Sequence, residues 1–394
     1  MAKITPFPLI EISGAPRQRG RIYGETARER IRLSAGLYTD QLHRLGFDDA
    51  NIERLVTAFL PRIRDWAPDL VTEMEGIAEG AGVDLSAIVL VNARTEVLQL
   101  ARLEAGVADE EPDGCTGAVL LPAVTRDATV IHGQNWDWRA ECADTSIVLR
   151  ILREDGPDIL TFTEAGGLAR SGFNAAGITI TANYLESDRD YRDMGIPLPF
   201  IRRRALEAQH FALALRVVAI TPKSGSNNMM LSTAEGYAVD LECAPDEAFP
   251  IYPQNGLIVH ANHWQSAIAL SKLKETGLAS VPDSLYRDHR VQKVLAETGG
   301  KLTADDLKRA FFDDFAAPFC VCRAPMAKEG GNLSATVAMI LCEPAKGIME
   351  VAPLPAINRE FTRYDLTMEE GALARAAGAC PDRTEEESRW SASS

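Results

Sequence analysis

One cysteine, at the junction between a predicted loop and a predicted strand, is the residue of this sequence best suited to covalent chemistry. Cys115 follows Gly114, which lacks a Cβ and can adopt backbone conformations closed to other residues. Thr116 follows, and its hydroxyl can hydrogen-bond nearby. If the Cys115 thiol attacks the carbonyl of Gly114, the peptide becomes a thioester, and water then releases a new N-terminus at Cys115. The arrangement predicts a nucleophile that is first internal and later N-terminal.

An N-terminal cysteine carries its own general base. Its α-amino group has a reference pKa of roughly 7.7–8.0, near working pH, and can accept the proton of its own thiol. The ordinary alternative is that Cys115 is a small buried apolar side chain. Two further alternatives are an uncleaved Cys–His hydrolase that uses His132, His260 or His263, and a binding protein without catalysis that kept the fold.

Two other polar residues are candidates for the same site. Asn262 lies between His260 and His263, and a side-chain amide can donate a hydrogen bond to an oxyanion. Asp137 lies between two tryptophans after a strand and could orient the ammonium of Cys115. An aspartate in such a place is usually a turn or cap residue, and the histidines are usually structural.

Sites for metals and cofactors are not predicted. The seven cysteines are scattered and form no CxxC pair, and no third ligand is spaced to join His260 and His263. No glycine-rich loop fits a phosphate cradle. We therefore expect no metal and no cofactor. The run Arg202-Arg203-Arg204 is interpreted as a solvated helix face.

Composition limits the partners. The 394 residues are 46% hydrophobic and 25% charged, with a net charge of −15 and a pI near 5.0, which suits a globular protein with a sizeable core. Nucleic acid and anionic membranes need a basic face, so neither is expected as a partner. No segment predicts a membrane span or a signal peptide, and the odd cysteine count favours a reducing, cytoplasmic setting.

The chain changes its periodicity near Cys115. Residues 17–100 have helical patterns, with Gly20 and Gly24 spaced for close helix packing. An acidic loop over 104–114 is the predicted boundary between residues 1–114 and 115–394. Beyond it, short strands are predicted at 116–121, 129–135, 147–152, 159–163 and 177–182, with helices at 198–210, 212–220, 283–298 and 303–312. The fold class is α+β with antiparallel sheets, and the tail from about 367 is expected to be flexible.

Several motifs, taken in order, resemble a known family. They lie at 92–96, 114–116, 133–137, 163–166, 172–177, 259–263 and 322–324, and together they cover roughly residues 15–350. This sequence resembles the fungal acyl-coenzyme A:isopenicillin N acyltransferases, which are N-terminal-nucleophile hydrolases. The resemblance implies a four-layer αββα sandwich made as an inactive precursor. It also implies cleavage between Gly114 and Cys115 into a helical pro-segment, 1–114, and a catalytic part, 115–394, that stay together.

Roles for single residues follow from the same resemblance. It implies that Cys115 is the nucleophile, that its α-amine is the base with Asp137 as partner, and that Asn262 donates to the oxyanion. In the more distant bile-salt and penicillin V hydrolases, the oxyanion residue would fall near Asn183. Those enzymes also have an arginine where this chain has Gln134, so their substrate preference is not transferred.

The family pattern leaves the reaction partly open. Arg323 fits the pattern without an assigned role. The family includes amide hydrolases and acyltransferases, which share an acyl-enzyme and differ in the acceptor. We expect hydrolysis of a small-molecule amide, with acyl transfer to an amine as the alternative. The cleaved N-terminal fragment is an expected partner, and a homo-oligomer is left open.

Overall fold

Helices fill most of the chain before Cys115, as the periodicity predicts. The computed structural model describes residues 4–107, 114–327 and 333–369, so positions 108–113 of the acidic loop predicted at 104–114, and positions 370–394 of the tail predicted from about 367, lie outside the described residues. After strand β1 (Leu9–Ser13) come α1 (Pro16–Thr26), α2 (Arg28–Arg44), α3 (Asp49–Thr57), α4 (Leu60–Trp66), α5 (Pro68–Ala81), α6 (Leu85–Asn92) and α7 (Arg94–Ala105).

Glycines allow α1 and α5 to touch backbone to backbone. A Cβ built on Gly20 would lie 2.0 Å from the carbonyl oxygen of Glu73, and one on Gly76 would lie 2.2 Å from that of Arg17. Cβ atoms do not approach other atoms so closely, so glycine is required on both helices. The close packing predicted from Gly20 and Gly24 is confirmed.

Strands dominate the chain after Gly114. They begin with β2 (Gly114–Leu120), β3 (Ile131–Arg139), β4 (Ser146–Leu152), β5 (Ile159–Glu164), β6 (Ser171–Asn174) and β7 (Ile178–Tyr184). Each strand predicted in this run overlaps one of these. Strand β6 was not predicted, because it is only four residues long and runs directly into the turn before β7.

Groups of helices and groups of strands alternate over the rest of the chain. The elements are α8 (Leu198–Leu206), α9 (Phe211–Ile220), β8 (Asn227–Thr233), β9 (Ala238–Cys243), β10 (Ala248–Ile251), β11 (Leu257–His260), α10 (Ala267–Leu270), α11 (Ser284–Glu297), α12 (Ala304–Phe311), β12 (Met326–Ala327), β13 (Leu333–Glu343), β14 (Ile348–Pro353) and β15 (Thr362–Asp365).

The strands form two sheets. The first has the order β1-β4-β5-β6-β7-β8-β9-β10, and from β4 onward it is the antiparallel meander that the spacing predicts. Strand β1 pairs with β4 in parallel, so the antiparallel prediction is wrong for this edge. Seven helices separate the two strands in the chain, and a long crossover of this kind permits parallel pairing. The second sheet has the order β11-β2-β3-β13-β14-β15, with β12 paired to β13.

Side chains alternate between two apolar layers along the strands. On β4, Ile147 and Leu149 pack against the N-terminal helices, whereas Val148 packs toward Cys115 and Trp136 of the second sheet. The opposite face of the second sheet packs against α11 and α12, through residues such as Val291 and Phe311. The order of layers is helix, sheet, sheet, helix, which confirms the αββα prediction.

Candidate functional site

Cys115 lies in the interior of the second sheet. It is the second residue of β2, faces Trp136 of β3 and contributes its side chain to the apolar layer between the sheets. Only 1% of its surface is exposed. The strand register places Gly114 opposite Asp137. The structure therefore brings the predicted nucleophile, the predicted cleavage site and Asp137 together.

Asn262 holds the backbone nitrogen of Cys115. It follows β11, which pairs with β2 on the side away from β3, and its Oδ1 accepts a hydrogen bond from the Cys115 N–H at 2.8 Å. Its Nδ2 donates to the carbonyl of Tyr184 at 2.8 Å. The acceptor end of this amide therefore faces Cys115, which differs from the expected donation to an oxyanion.

Arg287 explains that orientation, and sequence reasoning missed it. Its Nη2 donates to Oδ1 of Asn262 at 2.8 Å, so only the oxygen of this amide can occupy that end. Its Nη1 donates to the carbonyl oxygen of Cys115 at 2.6 Å and to the Thr116 hydroxyl at 2.8 Å. This fully buried guanidinium thus fixes the backbone on the C-terminal side of the nucleophile.

Asp137 is packed directly against Gly114. A Cβ built on Gly114 would lie 2.8 Å from Oδ2 of Asp137, so a side chain at this position would strike the carboxyl group. The Thr336 hydroxyl donates to Oδ1 of Asp137 at 2.6 Å, and Nε of Arg323 lies 3.3 Å from Oδ2. Burial raises the pKa of Asp137 above its usual range, and Arg323 and Arg287 offset this only in part.

Asp283 joins the two arginines of the site. It accepts a hydrogen bond from Nε of Arg287 at 2.7 Å and forms an ion pair with Arg323. Arg323, whose role the sequence left unassigned, thus holds two carboxylates, Asp137 and Asp283. Asp283 and Arg287 are spaced i, i+4 at the start of a helix. That spacing was the available signal, and it usually marks a solvated pair.

Asn183 on β7 of the first sheet and Gln134 on β3 of the second sheet support the site. Asn183 Nδ2 donates to the carbonyls of His260 and Ala261, both at 3.0 Å, and its Oδ1 accepts from Gln134 Nε2 at 2.8 Å. Gln134 also accepts from the Ser171 hydroxyl at 2.7 Å. These bonds position the chain that carries Asn262, and the oxyanion role of Asn183 stays a prediction.

The three histidines have partners of their own. The ring nitrogens of His132 contact hydroxyls of Ser232 and Thr181 at 2.9 and 2.8 Å. His260 contacts Glu242 at 2.8 Å and the Ala261 carbonyl at 3.0 Å, while His263 contacts Ser284 at 2.8 Å. Burial alone would lower the pKa of His260, but Asp240 and Glu242 raise it to about 9, so it is a structural cation.

A small cavity adjoins Cys115. Its volume is about 30 Å³, room for about two waters, whereas sites for drug-sized ligands measure about 300–1,000 Å³. Residues of the N-terminal segment form one wall, among them Arg94 and Glu96. Arg170 and Arg202 also line the cavity. The segment before Cys115 therefore helps to shape the space beside the thiol.

The interpretation of Arg202-Arg203-Arg204 as a solvated face is wrong. Arg202 and Arg203 are 6% and 0% exposed. Arg203 pairs with Glu73 at 2.8 Å, and Arg204 pairs with Asp69 at the helix surface. Helix α8 is covered by the N-terminal helices, and the sequence of α8 alone cannot show that cover.

The described residues were also considered as possible metal ligands and membrane-spanning helices. Over 4–107, 114–327 and 333–369, no group of three or more His, Cys, Asp or Glu side chains is placed to hold a metal ion. In the same part of the chain, none of the helices combines the length and apolarity needed to cross a bilayer.

Comparisons with known proteins agree with the motifs. The chain is 29% identical over 335 residues to the 40 kDa form of acyl-coenzyme A:6-aminopenicillanic-acid-acyltransferase of Emericella nidulans, an alignment that covers 84% of this chain and 88% of the relative.

Solved structures were compared as well. A variant of conjugated bile acid hydrolase from Clostridium perfringens has a TM-score of 0.45 and 14% identity, covering 65% of this chain and 94% of that one. Penicillin V acylase from Agrobacterium tumefaciens has a TM-score of 0.43 and 13% identity, covering 64% and 86%.

A family model matches more than half of the chain and shows which family the chain belongs to. The model described as acyl-coenzyme A:6-aminopenicillanic acid acyl-transferase aligns with residues 124–353, which include β3 with Asp137, Asn262, Arg287 and Arg323. The chain therefore belongs to the acyl-coenzyme A:6-aminopenicillanic acid acyl-transferase family.

Proposed function

We propose that this protein cleaves its own Gly114–Cys115 bond and then uses Cys115 as an N-terminal nucleophile to hydrolyse a small-molecule amide. One observation carries the proposal: the backbone is fixed on both sides of Cys115, at its N–H in the scissile peptide and at its carbonyl in the next peptide. Asn262 holds its N–H at 2.8 Å and Arg287 holds its carbonyl at 2.6 Å. A structural cysteine in a strand would not need two buried polar side chains devoted to its backbone.

The first reaction consumes one water. The Cys115 thiol attacks the Gly114 carbonyl carbon, the C–N bond breaks, and the nitrogen leaves with a proton as an amine. Asp137 adjoins Gly114 and its pKa is raised by burial, so its carboxylate is the proposed relay that takes the proton from the Cys115 thiol and delivers it to that nitrogen. Water then hydrolyses the thioester and leaves a carboxylate at Gly114 and an amine at Cys115.

The second reaction uses the amine as base. The amine takes the thiol proton, the thiolate attacks the amide carbonyl of the substrate, and the leaving amine carries the proton away. Asn262 Oδ1 is already placed to accept from this nitrogen. The positive charge of Arg287, which contacts the same oxygen, disfavours an ammonium at Cys115 and so favours the basic form.

Asn262 is also proposed to stabilise the oxyanion by donating a hydrogen bond from its Nδ2. It requires Nδ2 to exchange the Tyr184 carbonyl for the developing oxyanion once substrate is bound. Oδ1 of Asn262 accepts from the Cys115 amine, and Nδ2 would donate to the oxyanion. Because these are opposite ends of one amide, a single side chain can serve both.

The N-terminal segment is proposed to remain bound after cleavage. Its helices share one continuous apolar core with the outer face of the first sheet, where Tyr23, Phe59 and Met74 are fully buried. Separating the two parts would expose that core to water at about 25 cal/mol per Å² of apolar surface. The small and large fragments should therefore purify as one complex.

Acyl transfer is the second candidate, supported by the name of the fungal relative. The thioester at Cys115 is common to both reactions, and the acceptor that reaches it decides between them. Product analysis with and without an added amine separates the two, because transfer yields a new amide and hydrolysis yields only the free acid.

The intact mass of the purified protein tests self-cleavage. The wild-type protein should give two fragments, 1–114 and 115–394, whereas Cys115→Ala should remain whole and inactive. Cys342→Ala, which removes another buried thiol, is the matched control and should still be cleaved. Full-length wild-type protein with full amidase activity would refute the N-terminal mechanism and favour an uncleaved hydrolase.

A further inference from the structure

A buried ion pair joins the two sheets just before Asn262 in the chain. His260 is the last residue of β11 in the second sheet, and Glu242 lies on β9 in the first sheet. Nε2 of His260 lies 2.8 Å from Oε1 of Glu242, and both side chains are fully buried. The segment that carries Asn262 is therefore tied to both sheets.

The partners of the His260 ring require both of its nitrogens to carry a proton. Nε2 faces the Glu242 carboxylate, and Nδ1 lies 3.0 Å from the carbonyl oxygen of Ala261. A carboxylate and a carbonyl oxygen only accept hydrogen bonds, so both ring nitrogens must donate. Glu242 also accepts the backbone N–H groups of Gln265 at 2.5 Å and Ser266 at 3.0 Å, which suits its ionised form. The geometry therefore describes an imidazolium–carboxylate pair.

This pair helps to fix the peptide group that leads into Asn262. The Ala261 carbonyl accepts from Nδ1 of His260 and from Nδ2 of Asn183, both at 3.0 Å. At the other end of the same peptide group, the N–H of Asn262 donates to the Ser284 hydroxyl at 2.7 Å. A planar peptide group that is held at its oxygen and at its nitrogen has little freedom to rotate. The position of the Asn262 backbone therefore depends on the proton at Nδ1 of His260.

Acidic side chains keep His260 charged. Oδ2 of Asp240, which also lies on β9, is 3.9 Å from Nε2 of His260. Burial alone would lower the pKa of His260, but Asp240 and Glu242 raise it to about 9. Glu275 interacts with the same pair, although burial raises the pKa of Glu275 to about 7, so its charge is incomplete near neutral pH. His260 is thus charged at neutral pH and loses its charge as the pH rises through about 9.

The other charged groups near His260 lie on its own loop and on α11. The ring of His263 is stacked beside that of His260, with the ring centroids 6.2 Å apart. Burial lowers the pKa of His263, His260 and Arg287 lower it further, and Asp288, whose carboxylate lies 3.8 Å away, offsets this only in part. His263 is therefore the neutral ring of the two, and His260 carries the charge.

We propose that protonated His260, held by Glu242, is a positioning residue for Asn262, and that loss of its proton displaces Asn262 from Cys115. The effect on rate rests on the proposed function, because Oδ1 of Asn262 accepts the Cys115 N–H before cleavage. Both ring nitrogens of His260 are used by Glu242 and Ala261, so His260 acts through the loop and not as the base of a Cys–His pair. A displacement of about 1 Å costs on the order of 100-fold in rate.

Nuclear magnetic resonance follows the proton and its target independently of the reaction. Spectra are recorded on the full chain with Cys115→Ala, which should stay whole. The His260 ring signals are assigned by their loss in His260→Gln, and the Asn262 side-chain amide signals by their loss in Asn262→Asp. We expect the ring to titrate near pH 9 and the amide signals to shift with the same midpoint. In Glu242→Gln, both midpoints should fall together by about 1–3 pH units, the range for removal of an adjacent opposite charge.

The rate of self-cleavage tests whether this proton matters for the chemistry. Precursor with Cys115 intact is made by cell-free synthesis and transferred to buffers on both sides of the His260 midpoint, and intact mass gives the rate at each pH. The wild-type rate should fall as the pH rises through about 9. In Glu242→Gln the fall should begin earlier. At about pH 8 its rate should be about 10-fold below that of the wild type, since a shift of about 2 units leaves about one-tenth of His260 protonated.

Two variants separate positioning from a general loss of packing. Glu242→Asp keeps the negative charge, so its rate should fall at nearly the wild-type pH even where the shorter side chain lowers the rate at every pH. Glu350→Gln is the matched control, because it removes a carboxylate that pairs with Lys308 at 2.8 Å, and it should keep the wild-type pH profile. A role for Glu242 in packing alone would lower the rate without moving the profile.

Three results would overturn the inference. They are an Asn262 amide that does not follow the His260 titration, a His260 ring that is already neutral near neutral pH, and a Glu242→Gln cleavage profile with the wild-type midpoint although the His260 midpoint has moved. If Glu242→Gln does not fold, the wild-type rate must still fall with the midpoint of the His260 ring. A wild-type protein that stays whole while the Asn262 amide follows His260 would refute self-cleavage and leave the positioning role standing.

Discussion

Replacing Gly114 with alanine tests whether the packing of Asp137 on the scissile residue matters for cleavage. The added Cβ would lie 2.8 Å from Oδ2 of Asp137, 3.1 Å from its Cβ and 3.4 Å from Cζ of Arg323. These atoms cannot easily move aside, because Asp137 is held by Thr336 at 2.6 Å and the site is buried. The alanine must therefore push the backbone at residue 114 away from the carboxyl group.

Two magnitudes bear on how much slower Gly114→Ala should be cleaved. Overpacking in a filled interior costs about 1–3 kcal/mol of stability, but that strain is present in both the precursor and the transition state. The rate change comes instead from moving the scissile carbonyl relative to Asp137 and the thiol, and a displacement of about 1 Å costs on the order of 100-fold. We expect Gly114→Ala to be cleaved about 100-fold more slowly while it still folds.

A time course of cleavage after cell-free synthesis measures this rate. Samples are denatured at intervals, and intact mass gives the fraction of precursor. Gly36→Ala is the control, because its Cβ would meet nothing within 4 Å and alanine is the better helix former in α2. Cleavage of Gly114→Ala at the wild-type rate, with a lowered Tm showing that the strain is present, would refute the proposed role of this contact.

Substitutions at Arg287 and Asn262 test the proposed roles of the two side chains that hold the backbone of Cys115. Arg287→Lys keeps the positive charge, but a lysine cannot reach the Cys115 carbonyl, the Thr116 hydroxyl and Asn262 together. We therefore expect the rates of self-cleavage and of substrate turnover both to fall by at least about 10-fold. Normal rates for both would contradict the argument that Arg287 fixes the backbone. Asn262→Asp keeps an oxygen for the Cys115 nitrogen and loses the Nδ2 donor. We expect cleavage, followed by intact mass, to be slowed less than turnover, for which loss of one oxyanion donor costs about 100- to 1,000-fold in kcat. Equal losses in the two rates would argue against the oxyanion role.

Local patterns predicted antiparallel sheet with helices on its faces, and the four-layer order was implied by the family resemblance. Alternation in β4 and helical spacing in α11 and α12 each describe one buried face, and a sandwich of two sheets between helices is the arrangement that buries all of them. The parallel β1–β4 edge was not predictable in this way. Its register depends on where seven intervening helices return the chain, which no local pattern records.

The candidate site was predictable where chemistry depends on residue type, and less so where it depends on orientation. Cys115, Asp137 and Asn262 stood out because a thiol, a carboxyl and an amide were placed near strand ends. Which end of the Asn262 amide faces the backbone nitrogen of Cys115 is decided by Arg287, a residue on a helix 172 positions after Cys115. Charged residues on a predicted helix are normally assumed to face solvent. This assumption hid the burial of both Arg287 and Arg202.

The structure also changes what the N-terminal segment does. The sequence describes residues 1–114 as a pro-segment, a term that suggests a part that becomes dispensable after activation. Arg94 and Glu96 of this segment line the cavity beside Cys115, and Arg94 is held there by Glu164 at 2.9 Å. Tyr23 of the same segment accepts the N–H of Gly166 at 2.9 Å in the interior. If cleavage occurs at Gly114, we therefore expect the released segment to stay bound and to line part of the site, so that the complex of both fragments is the catalytic unit.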